Sequence, residues 1–450
     1  MKEGFKMVNK IKKIIKEEKF NELKNEISKL DYIDIAEILN YVQKKDIIKV
    51  FSILPKDLAA KTFSYLDIEQ QQIIINKLSD KDAAKIIEEM AADDATDLME
   101  EMPANVVTRI LQNTTTEKRK NINNLLHYPE SSAGSIMTVE YIEIKKNITI
   151  KEAIDEIKDK VTKKDYIDYC YILDNERKLL GTLSIKQIII SDYNNLVYDV
   201  MKKNPKSVHT NTDQEIVAKK MQKYDLNVIP VVDSENRLVG IITIDDIVDI
   251  IEDETTEDIQ KMAAIRPSEK PYMSMSTFEI WKKRIPWLLL LMISATFTSK
   301  IIQGYEDALS KFVILTSFIP MFMDTAGNAG GQASVTIIRG LSLNEINFSD
   351  IFKIVFKEFK VAILVGITLA IANFIKLLFI DNIDLNIAFV VCLTLIITII
   401  IAKIIGCCLP LLAKKLKFDP AVMASPFITT IVDAVSLIVF FQVSTIILGI

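Results

Sequence analysis

Two carboxylates stand in stretches that otherwise carry no charge. Asp433 is the only charged residue in 420–450, and Asp324 is the only one in 312–338. A carboxylate inside a membrane-type segment faces a water-filled path or a counter-charge, because lipid cannot solvate it. Neither stretch supplies a lysine or arginine, which leaves a mobile cation as the counter-charge. The neighbouring residue types agree. The run from Pro320 to Ser334 contains Asn328 and Gln332 beside Gly327, Gly330 and Gly331, and Thr336 follows. One packing seam rarely needs so many amides and hydroxyls, whereas the water shell of a hydrated ion can use them all. Three glycines in five residues also weaken a helix, so this segment is expected to be bent or broken. In the last stretch Ser425, Thr429 and Asp433 follow at i, i+4 and i+8, one stripe of a helix. Pro426 is expected to free a backbone carbonyl one turn earlier. Such a set of oxygens suits Mg²⁺, which prefers oxygen and keeps several of its waters. Oxygen donors alone do not reject Mn²⁺ or Co²⁺, so a broader divalent transporter stands as the alternative.

A second group of acids lies outside these stretches. Residues 245–258 hold eight acids in fourteen positions and no base. Ile247, Ile250 and Ile251 imply that one face of this helix is buried, so the acids are held on another. Like charges crowded on one helix repel, and a divalent cation bound among them would favour the compact state. Asp93, Asp94 and Asp97 pose the same problem further upstream. The two groups read as an ion sensor joined directly to an ion path.

Other chemistries lack their residues. There are two histidines, His127 and His209, far apart and without ligand spacing, which argues against His-based zinc sites and His-dependent nucleophilic catalysis. The cysteines, Cys170, Cys392, Cys407 and Cys408, form no C-x-x-C pair and read as buried thiols. A net charge of −5 gives a nucleic-acid partner no electrostatic support. The opening residues, from Met1 to Phe20, show no apolar core or cleavage site of a signal peptide. No nucleophile–base pair, phosphate loop or metal-hydrolase motif supports an enzyme.

The elements that must position these acids follow from charge and repetition. Residues 1–284 carry 44 basic and 50 acidic side chains, whereas 285–450 carry 11 and 10. The second part is too apolar for one soluble core and is expected to form five membrane helices, near 285–304, 312–338, 355–380, 386–412 and 420–449. Each can cross a hydrocarbon layer that needs about 20 helical residues. Lys282, Lys283, Arg284, Arg339, Lys353, Lys357, Lys414, Lys415 and Lys417 flank alternate connections, and basic residues mark the cytoplasmic side. This places 1–284 in the cytoplasm and the C-terminus outside. Within the soluble part, Asp46, Asp57, Asp82 and Asp94 open apolar helical stretches at a spacing of 11 or 12 residues, or twice that, which predicts a small superhelix over 1–130. Residues 136–250 contain a duplication. Ile136-Met137 to Ile157 parallels Val200-Met201 to Met221, and Tyr171 to Ser184 parallels Pro230 to Thr243.

That duplication resembles a tandem pair of CBS domains, about 131–195 and 196–254. In that family an Asp three residues after a Ser or Thr contacts the ribose of an adenosyl ligand. Thr243 and Asp246 match in the second copy, whereas the first has Ser184 and Gln187. The resemblance therefore places any nucleotide, ATP included, on the second copy. A membrane protein that only senses nucleotide is the reading in which the intramembrane acids have no task.

Taken together, the chain resembles the MgtE family of magnesium channels. The resemblance rests on Ala133 to Thr138, Thr255 to Ile259, Pro320 to Ser334, Ile338-Arg339-Gly340, and Asp419 to Asp433. It implies an all-α superhelical N-terminal domain, an α/β tandem CBS pair, a connecting plug helix over 255–284 and a five-span membrane domain over 285–450. It further implies a homodimer in the cell membrane with the pore between the two copies. Asp433 falls on the pore carboxylate, with Asn328, Ser425 and Thr429 on pore-lining positions. Cytosolic Mg²⁺ would close the pore through Asp93, Asp97, Asp213, Glu215, Asp225, Asp246, Asp249, Glu254, Glu257, Asp258 and Asp419. Tyr128-Pro-Glu-Ser-Ser, where relatives often have more acids, implies that some sensor sites are weak or missing.

Overall fold

The N-terminal helices begin every twelve residues. They are α1 (Phe20–Ile27), α2 (Tyr32–Asn40), α3 (Lys44–Phe51), α4 (Lys56–Ser64), α5 (Ile68–Ile75), α6 (Asp80–Glu89), α7 (Ala92–Glu100), α8 (Ala104–Leu111) and α9 (Thr116–Leu125). The eighth residue of each of the first eight is apolar and buried: Ile27, Leu39, Phe51, Phe63, Ile75, Ile87, Met99 and Leu111. Helices this short cannot hold themselves in water, and the shared core fixes them. Most pack on the next but one, as α2 on α4, α3 on α5 and α7 on α9, so the row winds into a superhelix. Of the aspartates that mark the repeat in sequence, Asp46, Asp82 and Asp94 fall in the first turns of α3, α6 and α7, where the helix dipole favours them. The computed structural model describes residues 10–449 except 12, 18, 41, 162–165, 269, 271, 274 and 424, and it leaves aside the side chains at 56, 57, 308 and 425.

The duplicated region folds as two like halves. In the first, β1 (Ile142–Lys145) pairs parallel with β2 (Tyr169–Leu173), which pairs antiparallel with β3 (Leu179–Ser184). In the second, β5 (Val208–His209), β6 (Val228–Val232) and β7 (Leu238–Thr243) repeat that pattern. The helices α10 (Ile150–Val161) and α13 (Gln214–Tyr224) follow the first strand of each half. The halves exchange their leading segments. β4 (Lys202–Lys203), which introduces the second copy, closes the first sheet against β3, while Thr138, which introduces the first copy, bridges to Ile241 of β7. The pairing is symmetric across the duplication, so neither half is complete alone. Two short helices, α11 (Ile185–Ile190) and α12 (Val197–Val200), join the halves, and α14 (Ile244–Met262) leaves β7 without a break.

The chain divides into two compact units, 1–251 and 252–450. The connecting helix expected over 255–284 is two helices. α14 starts inside the second CBS copy and ends at Met262, where Ala264 takes a left-handed conformation (φ 55°). α15 (Thr277–Gly304) then begins with a capping box between Ser276 and Glu279. Pro267 lies between them and disfavours helix on its N-terminal side.

The apolar unit contains α15, α16 (Glu306–Lys311), α17 (Ile319–Ser342), α18 (Ile351–Phe379), α19 (Leu385–Lys415) and α20 (Ser425–Leu448). Among the described residues, four stretches are long and apolar enough to cross a membrane: Thr277–Gly304, Phe348–Phe379, Leu385–Lys415 and Pro420–Leu448. The fifth expected span, 312–338, is not among them. It is a 3₁₀ turn, Val313–Phe318, followed by α17, whose 24 residues are diluted by glycine and polar side chains. α19 is the central helix and packs on α17, α18 and α20. The expected break at the glycines is absent, because α17 runs helically through all of them. The glycines serve close approach instead. A Cβ on Gly406 of α19 would lie 2.2 Å from the Gly330 carbonyl oxygen, so the two backbones touch.

Candidate functional site

Within the apolar unit, α17 and α20 bring the two isolated acids together. Asp324, Asn328, Gln332 and Thr336 follow at four-residue steps and form one exposed stripe of α17. Asn328 Nδ2 donates to Asp324 Oδ1 at 3.1 Å, and the Thr336 hydroxyl donates to the Gln332 carbonyl at 2.8 Å. Ser334 is on the opposite side, buried, and spends its hydroxyl on the Met423 carbonyl at 3.2 Å. Asp433 is half-buried on α20, and its Oδ1 is shielded from solvent without a hydrogen-bond partner. Asp324 is the charge that acts on it, and it has the same sign. Gly327 makes room between them, since a Cβ there would lie 3.5 Å from Asp433 Oδ1 and 3.1 Å from the Thr429 methyl carbon. An orphaned carboxylate oxygen with a like charge beside it is costly unless something cationic joins it.

One expectation about the last helix needs correction. Pro426 lies in the first turn of α20, where its missing N–H has no helical partner to lose. It therefore frees no carbonyl from a preceding turn, and its own carbonyl accepts the hydroxyls of Thr429 and Thr430, each at 3.0 Å. Thr429 accordingly turns its methyl toward Gly327 and has its proton committed. The side chain of Ser425 lies outside the described residues.

Within the other unit, α7 of the helical domain and the start of α14 form one acid cluster. Asp93, Asp94 and Asp97 interact electrostatically with Asp246, and Glu140 and Asp245 contribute to the same field. Loss of surrounding water is the main cause that pushes Asp93 and Asp97 up to about 7, and Asp94 and Asp246 up to about 6. Neighbouring carboxylates push further in the same direction. Lys118 opposes them at Asp94, and the Thr243 hydroxyl, 2.5 Å from Asp246 Oδ2, opposes them at Asp246. Lys118 is buried, bonded to the Met90 carbonyl and 4.0 Å from Glu140. Asp93 Oδ1, like Asp433 Oδ1, is buried without a partner. Asp94 and Asp97 reach solvent at the rim.

The remaining predicted sensor acids are dispersed. Asp213 caps α13 through the Glu215 N–H, Glu215 pairs with Lys219, and Asp225 is the left-handed residue that closes the same helix. Asp249, Glu254 and Asp258 on α14 are each engaged in an interaction. Ile251, expected on the buried face, is exposed, while Ile247 and Ile250 are buried. Glu257 and Asp419 are joined by a lysine. Lys261 Nζ lies 2.5 Å from Glu257 and 2.6 Å from Asp419. Glu140, Lys118 and Lys261 were missed from the sequence. Only Lys261 had a local signal, four residues after Glu257. Among the described residues, no three acidic, histidine or cysteine side chains converge tightly enough to hold a bare metal ion. In the first CBS copy, Gln187 is used up in a capping box with Ser184 and a bond to the Val200 carbonyl, so it offers no ribose carboxylate.

Known proteins resemble the chain along most of its length. The MgtE divalent cation transporter model matches residues 319–443, the MgtE intracellular N domain model matches 30–131, and the CBS domain model matches 133–192 and 197–253. The magnesium transporter MgtE of Thermus thermophilus is 34% identical over 332 residues, 73% of each chain. That of Bacillus subtilis is 35% identical over 340 residues, 74% of each. Among solved structures, the soluble part of a magnesium transporter aligns with a TM-score of 0.51 at 28% identity, over 56% of this chain and 99% of that one. The cytosolic domain of the Mg²⁺ channel MgtE in complex with ATP aligns with a TM-score of 0.51 at 30% identity, over 54% and 99%. With matching domains in the same order and relatives above 30% identity over nearly three quarters of their length, the chain belongs to the MgtE family.

Proposed function

We propose that this protein carries Mg²⁺ across the cell membrane and that cytosolic Mg²⁺ shuts it. The observation that carries the reading is Asp433, whose Oδ1 is buried and unpartnered beside the like charge of Asp324. A cation passing with part of its water shell supplies the missing partner, and Asn328, Gln332 and Gly327 leave polar surface and space for that water. The polar stripe on α17 is exposed within a unit otherwise clothed in apolar side chains, and α15 is almost uncovered. A second copy facing that stripe would enclose the path, so the working unit is a homodimer with five spans per chain, α17 included. Its N-terminal domains are cytoplasmic and its C-terminus is outside.

Gating follows from the other cluster. Asp93, Asp94, Asp97 and Asp246 belong to two domains and destabilise each other's charge. Mg²⁺ bound among them would hold the domains in register, and its loss would let them separate. The acids of α14, Asp249, Glu254, Glu257 and Asp258, would carry that change toward the membrane helices, together with Asp419; Asp213, Glu215 and Asp225 are candidate weaker sites. Asp246 also belongs to the Thr243–Asp246 pair offered to an adenosyl ligand such as ATP, so nucleotide and cation would draw on one carboxylate.

The test is the current through purified, reconstituted protein as Mg²⁺ is raised on the cytosolic side. Inward Mg²⁺ current that falls as cytosolic Mg²⁺ rises is expected. No Mg²⁺ flux at all would refute the reading. Equal flux of Mn²⁺ or Co²⁺ in competition would shift it to the broader divalent transporter.

A further inference from the structure

Lys261 occupies a place where the acids alone suggested a divalent cation. Its ammonium touches carboxylates from two elements, Glu257 one turn back on α14 and Asp419 in the segment between α19 and α20. Burial works against the charge of Lys261, but its hydrogen bonds to Asp419 and Glu257 outweigh that and raise its pKa. Asp419 is itself fixed. Its Oδ1 accepts the Ala421 N–H at 2.8 Å, at the start of the short helix Pro420–Met423. That short helix leads directly into α20, which carries Thr429 and Asp433. A single side chain therefore ties the end of the acidic helix to the root of the helix that bears the orphaned carboxylate.

We infer that Lys261 is an internal cation that latches α14 to the root of α20 and favours the closed path without a bound ion at this point. The inference rests on the reading that α14 controls the path. A tethered ammonium competes at an effective concentration on the order of millimolar or more. Mg²⁺ must displace it to reach the same oxygens, and it gives up water reluctantly. Closure at this point thus responds weakly to cytosolic Mg²⁺, while the Asp93–Asp246 cluster supplies the ion-dependent share. Removing the ammonium leaves Glu257 and Asp419 facing each other as like charges, which opens the latch until a divalent ion bridges them.

The experiment compares the full-length parent, K261Q, K261R and D419N in reconstituted bilayers, with cytosolic Mg²⁺ either chelated or saturating. In chelator, K261Q is expected to raise open probability about tenfold, within the usual range of coupling between sites. K261R keeps the charge and is expected to match the parent. D419N keeps the cap on Ala421 but loses the ion pair, and it is expected to behave as K261Q in chelator. At saturating Mg²⁺, K261Q is expected to close, since an ion can now bridge the two acids. K261Q and D419N opening no more than the parent in chelator would overturn the latch. The response of the parent to Mg²⁺ judges the gating proposal separately, since the latch is read in chelator alone.

Discussion

Among the described residues, the membrane unit and the soluble unit each contain one carboxylate with a buried, unpartnered oxygen, Asp433 and Asp93, and they treat it differently. Asp93 lies in a crowd. Three or more acids surround it, a buried lysine sits nearby, and the rim is open to water. On the proposed function, such a group would hold a hydrated cation, because several oxygens share it, and protons would compete with that cation for the same places. Asp433 has one acidic neighbour on α17 and a glycine where a wall would be. It can attract an ion without enclosing it, which is what passage requires. On the proposed function, the same side chain would serve retention or transit according to how many oxygens converge and how much room is left beside them.

The largest effect that can break this contrast is at the transit site. Asp433→Ala is expected to reduce Mg²⁺ uptake to background while its gel-filtration profile stays normal. Flux at parental level would end the assignment of Asp433 to the path. Next, neutralising the storage cluster with Asp93→Asn, Asp97→Asn and Asp246→Asn together is expected to raise opening at high cytosolic Mg²⁺ between about 5- and 150-fold. The current through each open channel should stay unchanged, and a change in it would mean that the two regions are not separate in function.

A smaller effect is expected from Gly327→Ala. The added methyl presses on the Thr429 methyl at 3.1 Å and fills the space beside Asp433 Oδ1 at an ordinary contact distance of 3.5 Å, so flux should fall a few-fold with the fold retained. Adding Thr429→Ser removes the methyl it strikes. Full recovery in that double variant would show that only packing was at stake, whereas a residual deficit points to lost space beside the carboxylate.

The smallest effect concerns pH. Asp93 and Asp97 are raised to about 7, well above the ordinary aspartate range, chiefly by loss of surrounding water. Protons therefore favour the folded cluster, fully below the ordinary carboxylate pKa, and that contribution is lost as pH rises through about 6 to 7. In chelator, the melting temperature of the detergent-solubilised protein should fall by a few degrees between about pH 5.5 and pH 8. Added Mg²⁺ should restore more of it at the higher pH, because binding needs the ionised acids. A melting point indifferent to both variables would contradict the shared cluster.

Much of the architecture was legible because periodicity survives in sequence. A repeat of about 11 or 12 residues and the duplication of 136–250 needed no coordinates, since each repeat must bury the same positions; the regular step of twelve came from the helix starts. Charge likewise separated the two halves of the chain. The polar stripe of α17 was visible as a composition, but its two sides were not. Ser334 belongs with Gln332 by type, yet it is buried against Met423 while Gln332 is exposed, which depends on where α20 packs. The expected break at Gly327–Gly331 failed because backbone contact with α19 supports a helix that glycine alone would weaken.

By itself, the sequence determined which residue types are available: isolated acids in apolar stretches, crowded acids in soluble ones, and repeats that must stack. These follow from solvation and from local periodicity, which act along the chain. The tertiary structure alone decided which charges meet. Glu140 and Lys118 join Asp94 from distant segments, and Lys261 reaches Asp419 across 158 residues. Electrostatic energy depends on distance in space, which spacing along the chain does not record.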